Sequence, residues 1–161
     1  MIENRSENVI IDTLGSLLSY GLSNRYSYTC IEEYIANSSF INNLENCRFI
    51  YSDAATLCKE VYRLEHNVAF IDVDIESRFY AEVYIYLFFT MQKSFEYLFL
   101  YMPLGDLINH YEALHTADYS KVESIIEERA KNVKLLSRLA NKRNIKLTEL
   151  SSLTGININT I

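Results

Sequence analysis

The chain has 161 residues, is 49% hydrophobic and 22% charged, carries a net charge of −6, and contains three cysteines, four glycines and one proline. A chain of this length and balance can bury a core as one domain, or as one domain with a small appendage, and is neither low-complexity nor fibrous. The polar start MIENRSEN is unlike a signal peptide, and the most apolar run, 79–91, contains Glu82 and falls short of the roughly 20 residues of a membrane helix. A cytoplasmic protein with no membrane partner is therefore expected.

From the N-terminus, Val9, Ile10, Thr13, Leu14, Leu17 and Leu18 recur at helical spacing and predict an amphipathic helix over 6–22, ended near Gly21. The same period runs through Ile31, Tyr34, Ile35, Phe40, Ile41 and Leu44. It predicts a helix over 28–45, or two helices divided at Asn37-Ser38-Ser39. Cys30, Cys47 and Cys58 form no CxxC pair, so neither a disulfide framework nor a zinc site is indicated, and they read as buried free thiols. His66, His110 and His115 read as surface or interface side chains.

Beyond Cys47 the pattern changes. Arg48 to Tyr51 is expected as a short strand, and Asp53 as the cap of a helix through His66. In VAFIDVDI, Ile71, Val73 and Ile75 alternate with Asp72 and Asp74, which predicts a strand. In FYAEVYIYLFF and FEYLFLYM, aromatic and β-branched residues also alternate with period two, and the short SR and QKS connections suit an antiparallel meander. The expected class is α+β, with N-terminal helices and a small aromatic-rich sheet. The alternative is an α/β fold with parallel strands, in which 77–92 is a buried crossing helix. Thirteen tyrosines, among them Tyr80, Tyr84 and Tyr86, suit core packing, an aromatic pocket or an oligomer interface.

After Pro103-Leu104-Gly105, Asp106 is expected to cap a short helix to His115. Ser120-x-x-Glu123 forms a capping box that predicts a long helix to about Lys142. Its early apolar set (Val122, Ile125, Ile126) suits packing on the body, and its later set (Val133, Leu136, Leu139, Ala140) suits packing on residues 147–161. Charge divides the chain at the same place. Residues 131–161 hold six cations (Lys131, Lys134, Arg138, Lys142, Arg143, Lys146) against Glu149, a net of +5, which leaves −11 on residues 1–130. A basic end on an acidic body is the asymmetry of a protein whose end meets a polyanion.

The last sixteen residues, KLTELSSLTGININTI, carry the most specific signal. A small residue, Ser151, is followed four positions later by Gly155, then by Ile156, and five further on by Ile161. This order resembles the helix-turn-helix of the Cro/C1-type (Xre-type) DNA-binding family over the final thirty or so residues, with Lys146 standing where a capping Ser or Thr is usual. The spacing has physical reasons: Ser151 leaves room for a crossing helix, Gly155 takes the positive φ of a tight turn, and Ile156 and Ile161 bury inward. The resemblance implies that Ile158, Asn159 and Thr160 face base edges, while Arg138, Lys142, Arg143 and Lys146 meet phosphate. It also implies a continuation past Ile161, because the recognition helix would otherwise stop in its first turn.

The expected architecture is thus a 1–118 sensing, dimerisation or interaction domain and a 119–161 connecting helix with an incomplete helix-turn-helix. The expected partners are duplex DNA and further copies of the chain. No cofactor is indicated, and no glycine-rich phosphate loop is present. The alternatives are a metal-dependent nucleic-acid enzyme built on Asp72, Asp74 and Glu82, which would share a face of neighbouring strands, and a non-catalytic interaction protein.

Overall fold

The computed structural model describes residues 4–48, 53–68 and 71–143, and every regular element among them is a helix. The elements are α1 (Asn4–Ser23), α2 (Tyr28–Ala36), α3 (Ser39–Glu45), α4 (Ala54–Val61), α5 (Ile75–Met91), α6 (Phe95–Tyr101), α7 (Leu104–Asn109), α8 (Tyr111–Leu114) and α9 (Ser120–Arg143). The chain divides into two compact units, one ending at Tyr119 and the next starting at Ser120.

The first unit is built on α1 and α5, which pack along each other; α4 and α2 also lie on α1. Ile10, Leu14, Leu17 and Leu18 of α1 are all buried, and so are Thr13 and Ser16. The two hydroxyls return to their own helix, Thr13 Oγ1 donating to the Val9 carbonyl at 2.7 Å and Ser16 Oγ to that of Asp12 at 2.8 Å. That removes the penalty of burying them unpaired. Gly15 lets the start of α5 approach: a Cβ there would lie 3.0 Å from Val73 Cγ1 and 3.5 Å from Arg78 Cα.

Short polar residues start the helices. Ser27, Ser38, Asp53, Asp74 and Ser94 are N-caps whose side chains accept from the backbone N–H of Cys30, Ile41, Thr56, Ser77 and Tyr97. Each satisfies one of the amides that a first turn leaves without an internal partner. Thus 28–45 is two helices, divided at Ser38, and the helix capped by Asp53 ends at Val61 rather than His66.

Among the described residues the expected sheet is absent. Residues 71–74 have no regular structure, 75–91 are α5, and 95–101 are α6, so the α+β class and its parallel-strand alternative are both corrected to a helical fold among the described residues. In α5 the buried set includes Phe79, Tyr80, Ala81, Val83, Tyr84, Ile85 and Leu87, which covers both parities of the supposed alternation. The partly exposed side of α5 is a narrow stripe, Arg78, Glu82 and Tyr86, and a helix apolar over the rest of its circumference shows little of the 3.6 period in its sequence. Tyr80 and Tyr84 bury together, the Tyr84 hydroxyl donating to the Met102 carbonyl at 2.8 Å, while Tyr86 turns away against Tyr119, with ring centroids 5.4 Å apart.

Smaller corrections have the same local origin. Pro103 occupies the N-cap position of α7 and Asp106 lies in its first turn, so the helix expected behind Asp106 starts earlier and stops at Asn109, with α8 separate. Of the three cysteines only Cys58 is buried; Cys30 and Cys47 are exposed. The second unit opens with α9, 24 residues long, in which Glu127 and Lys131 form an (i, i+4) pair at 3.9 Å. Of the strand expected at 48–51, Arg48 has no regular structure, and residues 49–51, like everything from Asn144 onward, lie outside the described residues.

Candidate functional site

Three arrangements can be judged for chemistry: the carboxylates of 72–82, the basic half of α9, and a groove at the end of α5. Of the three expected carboxylates, Asp74 and Glu82 are committed to structure. Asp74 caps α5, its Oδ1 accepting from Ser77 N–H and its Oδ2 from the Ser77 hydroxyl, both at 2.7 Å. The Ser19 hydroxyl of α1 lies 3.0 Å from both Asp74 Oδ2 and the Asp72 carbonyl oxygen, so its one proton ties the 72–74 segment to α1. Burial pushes the Asp74 carboxyl up, but the hydrogen bonds from Ser77 and Ser19 outweigh it and hold the group below the ordinary value.

Glu82 lies eight residues into the helix from Asp74, about 12 Å along the axis at 1.5 Å per residue. Its Oε1 accepts from Arg78 Nε at 3.2 Å and its Oε2 from the Tyr119 hydroxyl at 3.4 Å, while Arg78 also pairs with Asp12 of α1. A hard cation needs its oxygens within about 2.6 Å of one point. The structure therefore does not bring Asp72, Asp74 and Glu82 together, and among the described residues no group of three or more His, Cys, Asp or Glu could hold a metal.

This assignment has a measurable consequence. Asp74→Ala is expected to cost about 1–2 kcal/mol at pH 7, the value of an N-cap with a partner on a second helix. A group with a lowered folded pKa contributes its stability above its unfolded pKa and loses it as pH falls through the folded one. The gap between Asp74→Ala and the parent in urea melts should accordingly narrow below about pH 4. An equal gap at pH 3 and pH 7 would contradict the capping role.

The histidines do not converge. His110 Nδ1 lies 2.7 Å from the Asp106 carbonyl and His115 Nδ1 3.0 Å from that of Tyr111, each on its own turn, and all three histidines are exposed. Glu32 is a further carboxylate without a catalytic setting. It accepts the Leu104 N–H at the start of α7; burial raises its pKa, and Asp106 adds to the rise against that hydrogen bond.

Of the residues expected at DNA, Arg138, Lys142 and Arg143 belong to α9, and Lys146, Ser151, Gly155, Ile156, Ile158, Asn159, Thr160 and Ile161 lie outside the described residues. At 3.6 residues per turn, positions 131, 134, 138 and 142 fall within roughly 80° of one another around α9, while position 143 lies about 100° from 142. The lysines and arginine at those four positions thus share one stripe, and Arg143 stands off it.

The third arrangement is one that sequence reasoning missed. An apolar groove of about 810 Å³ lies between the end of α5, the end of α3 and α1, walled by Ile10, Leu44, Phe88 and Phe89 and edged by Arg48 and Lys93. Ile10 and Leu44 are buried, whereas Phe88 and Phe89 are half-buried with ring centroids 5.2 Å apart. Helix ends shape it: Cys47 (φ 55°) and Gln92 (φ 53°) take left-handed conformations that turn the chain sharply after α3 and α5. Read as strand residues, Phe88 and Phe89 would lie on opposite faces. The signal that could have found the groove is the adjacent aromatic pair at the end of a largely apolar segment.

No helix among the described residues is long and apolar enough to cross a membrane. No family model, curated protein or solved structure matches this chain.

Proposed function

We propose that the protein is a cytoplasmic DNA-binding regulator in which a helical body, residues 1–119, senses a ligand or holds copies together. The helix α9 leads from that body into a helix-turn-helix. The observation that carries this reading is the charge split together with the Ser151, Gly155, Ile156, Ile161 spacing. A net +5 lies on residues 131–161 of a chain that is otherwise −11. The shared stripe of Lys131, Lys134, Arg138 and Lys142 supports it, because a row of cations along one helix face matches the run of a phosphate backbone. The separation of Asp72, Asp74 and Glu82, and the hydrogen bonds held by Asp74 and Glu82, speak against the metal-dependent enzyme.

Duplex binding by the full-length protein tests the reading. Affinity for any duplex is expected to fall steeply with salt, since each neutralised phosphate releases counterions. Arg138→Ala, Lys142→Ala and Arg143→Ala combined should weaken binding to all sequences and flatten the log–log salt slope by about 2–3. Changing Asn159 or Thr160 should instead alter sequence preference. If the full-length protein retains no duplex at low salt, the helix-turn-helix reading is wrong, and 144–161 is a hairpin that packs without nucleic acid.

A further inference from the structure

The groove at the end of α5 has two properties that together select a ligand. Its walls are hydrocarbon and aromatic, and its volume of about 810 Å³ lies inside the usual range for small-molecule sites, about 300–1,000 Å³. Phe88 and Phe89 are half-buried side by side at its mouth, although Phe88 also packs on the fully buried Phe95 with centroids 5.4 Å apart. Partly covered aromatic side chains along a concave apolar wall are the lining typical of a small-molecule site.

Charge defines the other end of that ligand. Residues 1–130 carry a net −11, yet the groove edge holds Arg48 and Lys93, and neither has an ion-pair partner among the described residues. Lys93 Nζ lies over the Tyr97 ring, 5.5 Å from its centre, a cation–π contact that does not neutralise its charge. The one carboxylate lining the groove among the described residues, Glu45, is engaged: its Oε1 accepts the Phe95 N–H at 2.7 Å, at the start of α6. On an acidic body, an apolar slot with a cationic edge is complementary to an amphiphile whose polar end is anionic.

We propose that this groove is the ligand site of the helical unit and takes a long-chain carboxylate. Its hydrocarbon lies along Ile10, Leu44, Phe88 and Phe89, and its carboxylate faces Arg48 and Lys93. The proposal rests on the sensing role of that unit, for which it supplies the chemical class of the input. It does not require that the second unit bind DNA.

Oleate below its micelle concentration is the probe, added to the full-length protein and followed by titration calorimetry and thermal melting without DNA. Saturable one-to-one binding and a rise in melting temperature are expected, since a ligand of the folded state alone stabilises it. Phe89→Ser should weaken oleate at least about tenfold through lost apolar contact. Arg48→Ala with Lys93→Ala, two exposed side chains whose loss leaves the core intact, should reduce the preference for oleate over oleyl alcohol by about tenfold. Absence of saturable oleate binding, or an unchanged preference in the double variant, overturns the proposal. Adsorption to anionic phosphatidylglycerol vesicles without uptake of monomeric oleate overturns it in favour of a membrane surface. Self-association abolished by Phe89→Ser, with no oleate binding, overturns it in favour of a second copy. Duplex retention, measured separately on the same protein, shows whether the DNA reading fails independently.

Discussion

Gly21→Ala is expected to destabilise the protein by about 2–4 kcal/mol, although alanine is favoured over glycine in a helix by up to about 1 kcal/mol. Gly21 is buried on α1, and a Cβ there would lie 2.5 Å from Tyr62 Oη and 2.8 Å from Ile31 Cγ1. Neither neighbour can withdraw cheaply. Ile31 is fully buried on α2, and the Tyr62 ring is wedged between Tyr20 and Tyr26, each 5.1 Å away, and Tyr34 at 5.7 Å. The Tyr62 hydroxyl also donates to the Leu17 carbonyl at 2.7 Å, a buried bond that the added methyl would displace. Burial keeps that phenol far from ionising, so it remains a donor at any working pH. The overpacking and the lost hydrogen bond each cost about 1–3 kcal/mol, more than the propensity gained. For a chain of this size the melting temperature should drop by roughly 5–15 °C. A variant that melts at or above the parent would mean that the α1–α2–α4 junction is looser than the geometry shows.

The second large effect separates helix from strand at 95–101. Phe95 and Leu98 are fully buried, whereas Leu100 is 38% exposed. Phe95→Ala is expected to cost about 3–5 kcal/mol and Leu98→Ala about 2–5 kcal/mol, by lost apolar transfer and the cavities left behind. Phe95 loses in addition its ring contacts with Phe88 and with Phe99, whose centroid is 5.9 Å away. Leu100→Ala should stay within about 0.5 kcal/mol. In a strand, Leu98 and Leu100 would lie on one face and lose stability together; in α6 they lie 200° apart at 100° per residue. Equal losses at 98 and 100, measured by urea unfolding, would refute the helical assignment of this segment.

These two sites also mark what could be read without coordinates. α1 shows its period because it retains exposed positions such as Asn8 and Asp12, and the division at Ser38 and the cap at Asp53 are local events that a few residues specify. The charge boundary near residue 131 and the spacing Ser151, Gly155, Ile156, Ile161 are likewise properties of the chain alone. The signals failed at α5 and α6. There, tyrosine, phenylalanine and valine favour strands in isolation, and their alternation mimics one. Asp74-x-x-Ser77 and Ser94-x-x-Tyr97 were nevertheless cap signals within the supposed sheet, since each acidic or hydroxyl side chain accepts the N–H three residues on.

Local chain chemistry set where most helices begin, which faces of α1 to α4 turn inward, and that the C-terminal end is basic, because caps, amphipathic period and charge act over a turn or two of chain. Long-range packing was needed to make 75–91 a helix. Its solvent side is only the narrow stripe of Arg78, Glu82 and Tyr86, too little to stamp a clear period on the sequence, and in its otherwise apolar setting a helix satisfies its backbone hydrogen bonds within itself. The same choice fixed the fate of the carboxylates. A strand would have aligned Asp72 and Asp74 on one face, whereas the helix start turns Asp74 onto Ser77 and Ser19 and carries Glu82 two turns away to Arg78 and Tyr119. It also created the groove, since Phe88 and Phe89 become neighbours of Ile10 and Leu44 only when α5 ends beside α1 and α3.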